Sequence, residues 1–205
     1  ADGGQKAPAH WATLFDRLAA TAPEAGVALY SLGDPDLLNA ATAEIAAYLR
    51  GRRLIGPERK VLEIGCGTGR LIAALAPDVA CIAGLDVSAD MIRLACRRCA
   101  AFPNVRLGQT SGEGLASFAD AAFDLVLAVD VLPYVFAGGG ELVWRNVSET
   151  ARVLRSGGTF AFFNFSYRDD IEADRTDVRR LAAEAGFAVV QDGARPFARW
   201  DGAAF

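Results

Sequence analysis

The chain has 205 residues, 52% of them apolar, with 21 Lys and Arg against 25 Asp and Glu and a formal charge of −4 at pH 7. That length and composition suit one substantial buried core. The acidic balance argues against a general nucleic-acid-binding or membrane-binding surface, and no apolar run is long enough to cross a bilayer.

Residues 1–59 carry two apolar stripes at helical spacing. Trp11, Leu14, Phe15 and Leu18 form the first, and Leu37, Leu38, Ala41, Ile45 and Leu49 the second, which Asp34-Pro-Asp36 starts. Such stripes are packing faces as a rule. The basic run Arg50-Gly-Arg-Arg53 reads as a solvated helix end.

From Lys60 onward apolar runs alternate with amphipathic stretches, the pattern of a parallel sheet covered on both faces by helices. Val61, Leu62 and Ile64 make a strand over 60–64 that runs into Gly65-Cys-Gly-Thr-Gly69. Without a Cβ, glycine lets the chain turn sharply and lets a ligand lie against bare backbone. A helix over 69–76 aims its free N–H groups at that ligand. The glycine spacing disfavours a nicotinamide-dependent oxidoreductase. Arg70 stands where a dinucleotide fingerprint has its third glycine, and the Gly-Lys-Ser/Thr of a Walker loop is absent.

A second strand over 80–85 ends on Asp86, where a carboxylate can accept from both hydroxyls of a ribose. Ser88 caps the next helix, over 89–101, and Asp90 lies in its first turn. Cys96 and Cys99 share a face of that helix, and Arg97-Arg98 reads as its solvated end. With His10 as the sole histidine, no metal-binding set is completed, so the four cysteines are expected as free thiols, in keeping with a reducing cytosol. No signal peptide is found. Further strands are expected over 104–108, 123–129 and 158–165, with helices over 141–155 and 174–185. Gly157-Gly158 stops the first of these helices. Strands over 186–191 and 197–205 complete the chain.

Glu63-x-Gly65-x-Gly67-x-Gly69 resembles the first motif of class I (seven-strand) S-adenosylmethionine-dependent methyltransferases, and Asp86-Val-Ser-Ala-Asp-Met91 looks like the second. Phe123-Asp124-Leu-Val matches the family's entry to its fourth strand. Arg152-Val-Leu-Arg-Ser-Gly-Gly-Thr159 looks like its R-x-L-x-P-G-G run, with Ser156 in place of proline, and Ala185-Gly186-Phe187 resembles the junction before strand six. The resemblance covers about residues 60–195. It implies an α/β fold, a Rossmann-like, doubly wound, mostly parallel seven-stranded sheet with the last strand antiparallel. An N-terminal helical lid over 1–59 would precede a methyltransferase domain over 60–205.

The same resemblance implies S-adenosyl-L-methionine as cofactor and no metal. Gly65, Cys66, Gly67 and Gly69 would form the cofactor loop, with Glu63 stabilising it near the cofactor's amino group. Asp86 would hold the ribose, and Val87 and Met91 would flank the adenine. The family's adenine loop usually reads Gly-Asp-Ala-x-x-Leu. Here Ser111 stands in the place of the acid and Gly112 in that of the small residue, so the adenine contact becomes a weaker hydroxyl bond.

Methyl transfer is an in-line displacement that neutralises a sulfonium, so the protein mainly positions the acceptor and excludes water. The site belongs beyond the carboxyl ends of the strands, which points to the loops 130–140 and 164–170. Asp130 can orient an amine or take a proton there, and can equally serve as a cap or structural acid. Tyr134 and Tyr167 can line an aromatic or amphipathic acceptor pocket, and Arg168 can pair an anionic one. By analogy Trp11 and Tyr30 are lid candidates. The segment at Asp130 departs from the Asn/Asp-Pro-Pro-Tyr motif of enzymes that methylate nucleobases and glutamine side chains. The expected function is a cytoplasmic methyltransferase with a small-molecule O-, N- or S-nucleophile as acceptor, and Asp130 and Tyr134 as catalytic candidates. The alternative is a non-catalytic S-adenosylmethionine-binding or scaffold domain.

Overall fold

The computed structural model describes residues 5–24 and 34–205, so Tyr30 lies outside the described residues. Helix α1 (Pro8–Thr21) opens on a proline, whose missing N–H is not needed in the first turn. Helix α2 (Pro35–Gly51) is capped by Asp34, whose carboxylate accepts from the N–H groups of Asp36 and Leu37. Asp34→Ala is therefore expected to cost about 1 kcal/mol, read by calorimetry as a melting temperature lowered by roughly 2–4 °C. An unchanged melting temperature would mean that the cap does not form in solution.

Strands β1 (Lys60–Ile64), β2 (Cys81–Asp86), β3 (Val105–Gln109), β4 (Phe123–Val129) and β5 (Leu154–Phe163) form one parallel sheet in the order β3-β2-β1-β4-β5. Between them run helices α3 (Arg70–Leu75), α4 (Ala89–Arg98), α5 (Leu132–Ala137) and α6 (Gly140–Val153), and α7 (Ile171–Ala185) follows β5. Alternation along the central strands divides the core in two. Val61, Leu125 and Leu127 face α2 and α3 through Ile45, Leu49, Ile72 and Leu75. Leu62, Ile64, Val126 and Ala128 share the other cluster with Val143 and Val147 of α6 and Val178 and Leu181 of α7. Both faces of the sheet are thus covered, which is why these strands read as near-continuous apolar runs. Helix α2 is an integral layer of this core, with Leu49 fully buried, whereas α1 has no buried residue.

Two expectations are corrected. The sheet has five strands among the described residues, not seven. Residues 186–191 form no strand: Gly186 ends α7 at φ 80°, and Val189 and Val190 are 40% and 83% exposed. The antiparallel last strand over 197–205 is reduced to its final residues. Phe162 and Phe205 exchange N–H···O bonds of 3.1 and 3.0 Å, and Ala204 bridges Phe163 on one side and Ala194 on the other. Gly193, at φ 71°, turns the chain, and Pro196 has no N–H to donate, so no continuous ladder extends through this region. Helix α4 also ends at Arg98, before the expected boundary. Cys99 consequently turns into the core while Cys96 stays exposed, and both are free thiols.

Candidate active site

Sheet register brings the site together. Ile64 pairs with Leu85 of β2 and with Ala128 of β4, so Gly65, Asp86 and Asp130 emerge at neighbouring levels of one sheet edge. Beyond that edge lies a cavity of about 620 Å³, lined on one side by Pro8, Trp11 and Phe15 of α1.

The glycine loop is built by close approach. At Gly65, with φ 71°, an added Cβ would lie 2.5 Å from Cγ2 of Val131. At Gly69, with φ 74°, it would lie 2.9 Å from Cβ of Ala95. Gly65, Cys66, Gly67 and Thr68 line the cavity, while Gly69 packs the loop against α4 and does not line it. Helix α3 is only six residues long, so bare loop backbone rather than a long helix dipole faces the chamber. Asp86 fastens the loop to β2. Its Oδ2 accepts from the Gly67 N–H at 2.8 Å and its Oδ1 from the Ser88 N–H at 2.9 Å. Burial pushes the Asp86 carboxyl upward, opposed by these backbone donors.

Glu63 is 3% exposed, and its Oε2 has no hydrogen-bond partner. Burial pushes its carboxyl up to about 8, with Arg70 pulling down and Asp86 adding to the rise. Arg70 itself is committed elsewhere, donating to Leu38 O at 2.8 Å and to the Thr42 hydroxyl, which ties α2 to the loop. A buried carboxylate left without donors beside bare backbone is a place for a cationic ligand group.

Val87, Met91 and Gly112 line the cavity, and Ser111 does not. Its Oγ accepts from the Glu113 N–H at 3.3 Å in a local turn. Thr110, which sequence reasoning missed, lines the cavity instead. Pairing of Gln109 with Asp86 and of the Thr110 N–H with Asp86 O, at 2.9 Å, holds Thr110 against the end of β2. At Gly112 a Cβ would come within 2.9 Å of both Pro8 and Val87, so the loop, α1 and the end of β2 meet there.

Asp130 and Asn164 follow β4 and β5 at φ 54° and 62°, in the left-handed region. Such strain persists only where surroundings enforce it. Here Asn164 bonds Ala203 twice, through N–H to O at 2.8 Å and Oδ1 from N–H at 2.9 Å. Its Nδ2 donates to Asp130 Oδ1 at 2.7 Å, and the Tyr167 hydroxyl donates to the same oxygen at 3.2 Å. Burial pushes the Asp130 carboxyl upward, opposed by Asn164 and Tyr167, while Asp201 adds to the rise. Tyr134 lies on α5, a helix not anticipated from the sequence. Its ring meets Trp11 at 4.8 Å, Phe15 at 5.3 Å and Tyr167 at 6.0 Å, all near edge-on.

Arg168 does not serve as an anion partner. Its guanidinium is engaged by Asp174 at 2.7 Å and Asp177 at 2.8 Å. Helix α1 is latched by Asp16, whose Oδ1 accepts from the Ser88 hydroxyl at 2.6 Å and the Asp90 N–H at 3.1 Å. No group of His, Cys, Asp and Glu among the described residues could hold a metal ion, and none of their helices is long and apolar enough to cross a membrane.

Residues 62–162 match a family model described as a methyltransferase domain. The demethylmenaquinone methyltransferase of Tropheryma whipplei (strain Twist) is 34% identical over 108 residues, 53% of this chain and 42% of that protein. The ubiquinone biosynthesis O-methyltransferase of Paracidovorax citrulli is 31% identical over 108 residues, 52% of this chain and 43% of that one. The chain thus spans less than half the length of these curated relatives. Among solved structures, phosphoethanolamine N-methyltransferase 1 of Haemonchus contortus, in complex with phosphoethanolamine and S-adenosylhomocysteine, superposes with a TM-score of 0.65 at 20% identity over 74% of this chain and 31% of that chain. An S-adenosylmethionine-dependent methyltransferase from Aquifex aeolicus superposes with a TM-score of 0.59 at 18% identity over 80% and 90%. At those identities the structures share the fold, an α/β Rossmann-like arrangement around a parallel sheet. The matched glycine loop and the acid ending β2 both lie within residues 62–162, which form a methyltransferase domain.

Proposed function

We propose that this chain transfers the methyl group of S-adenosyl-L-methionine to a small-molecule acceptor. The observation that carries the reading is Glu63 Oε2, buried without a donor at the edge of the glycine loop. The cofactor's amino group supplies the missing donor and charge, and its ribose hydroxyls fit the remaining lone pairs of Asp86. Val87, Met91, Thr110 and Gly112 line the cavity beside Asp86, the place for the adenine in this reading. When bound, the cofactor supplies an electrophilic methyl on a sulfonium. Asp130, Tyr134 and Tyr167 then hold the acceptor on the opposite side of the cavity. Trp11 and Phe15 of α1 cover the chamber and exclude water, which makes α1, rather than all of residues 1–59, the lid. The curated relatives named for quinone precursors support a small-molecule acceptor.

S-adenosylmethionine and S-adenosylhomocysteine are expected to raise the melting temperature by mass action, and NAD is not. Tighter binding of NAD in calorimetry would overturn the family-based reading. Cofactor binding with no methyl transfer to any acceptor in a broad chemical library would leave a scaffold role instead.

A further inference from the structure

The part of the cavity not needed for the cofactor has a consistent chemistry. Both protein donors that reach Asp130 use Oδ1, and none among the described residues reaches Oδ2. The rings of Trp11, Phe15, Tyr134 and Tyr167 stand edge to face around the same space, with interplanar angles of 66° to 88°. All four residues line the cavity, and a cation within about 6 Å of an open ring face is attracted. Lys6 illustrates the affinity, with its ammonium 5.0 Å from the Trp11 ring although Lys6 does not line the cavity.

The charges around the space point the same way. Asp169, Asp170 and Asp201 line it with Asp130, and Asp201 lies close enough to act on Asp130 electrostatically. Of the arginines, Arg168 is engaged by Asp174 and Asp177, and Arg70 lines the cavity with its charge intact, donating to the neutral Leu38 O and Thr42 hydroxyl. Arg195 remains, at the exposed rim. An anionic acceptor would meet these carboxylates. A neutral one would gain no charge pairing with the Asp130 carboxylate.

We propose, building on the methyltransferase reading, that the acceptor is an amine, bound as an ammonium ion by Oδ2 of Asp130 inside the aromatic box of Trp11, Phe15, Tyr134 and Tyr167. In turnover the ammonium gives one proton to the Asp130 carboxylate. The nitrogen lone pair then forms the N–C bond to the methyl as the C–S bond breaks and its electron pair stays on sulfur. The product is a methylated ammonium, and Asp130 returns its proton to water. Asn164 and Tyr167 act as positioning residues, holding Asp130 through its Oδ1.

The test uses the whole chain saturated with S-adenosylhomocysteine, so that no turnover occurs. Matched probes of one shape are titrated by calorimetry: 2-phenylethylamine, 2-phenylethanol and 3-phenylpropanoate. The amine is expected to bind about tenfold or more tighter than the alcohol, and the acid not to bind. Asp130→Asn tolerates the left-handed backbone and should fold. It is expected to erase the preference for the amine, while Tyr167→Phe narrows it. Binding of the alcohol or the acid as tight as that of the amine, including binding of none, overturns the proposal. Failure of S-adenosylhomocysteine itself to bind would instead overturn the methyltransferase reading.

Discussion

Asp86→Ala is expected to weaken S-adenosylhomocysteine binding by roughly 2–3 kcal/mol, about 30- to 150-fold in Kd. The effect is large because one side chain does two tasks. Its two oxygens already hold the backbone of Gly67 and Ser88, so the substitution frees the glycine loop and the start of α4. Its remaining lone pairs are those that the proposed ribose contact uses. Asp86→Asn is not expected to be mild, since its amide NH2 would have to face one of two backbone N–H donors. Calorimetry reads the outcome directly. An unchanged Kd for Asp86→Ala would mean that this carboxylate braces the loop and never meets the ligand.

Glu63→Gln is expected to move stability and binding in opposite directions. In the folded protein the Glu63 carboxyl is raised to about 8 from an ordinary 4.5. Between those values the folded state binds more protons than the unfolded one, so stability falls as pH rises from 4.5 through about 8. Glutamine removes that loss and should stabilise the ligand-free protein at pH 7.5 by roughly 1–3 kcal/mol. It should also weaken cofactor binding by about 10- to 100-fold, because a charge-assisted bond to the ligand's amino group is lost. Wild-type binding near neutral pH should release a proton from Glu63, visible as a binding enthalpy that changes with the ionisation heat of the buffer. Urea denaturation at pH 5 and pH 8 tests the first half. Equal pH dependence in wild type and Glu63→Gln would show that Glu63 is not the titrating group.

The glycine loop and the acid that ends β2 were legible because their determinants are local. The turn Gly65 to Gly69 needs positive φ at three positions, and only glycine supplies that without strain, so the loop is written in residue types. Asp86 and Ser88 follow a buried strand at a terminus that any parallel strand must have. Ser111 marks where local reading stopped. A shift of one residue along the loop decides between a turn-closing hydroxyl and a cavity wall, and that shift depends on how Thr110 pairs with the end of β2. The sixth and seventh strands failed for a related reason: Val189 and Val190 have strand-like side chains, but a strand exists only where a partner continues the ladder.

The sequence by itself determined that an α/β sheet presents a glycine loop and an acid at one edge, since periodicity and backbone chemistry act over a few residues. Tertiary structure decided everything that depends on meeting at a distance. It placed Asp130 of one loop beside Asn164 and Tyr167 of another, with Ala203 near the chain's end holding Asn164 in place. It spent Arg168 on α7, latched α1 over the cavity through Asp16, and crossed Trp11 and Phe15 with Tyr134. No spacing rule relates these residues, because side chains far apart in the chain acquire partners only when burial makes an unpaired polar group expensive and packing brings a donor within reach.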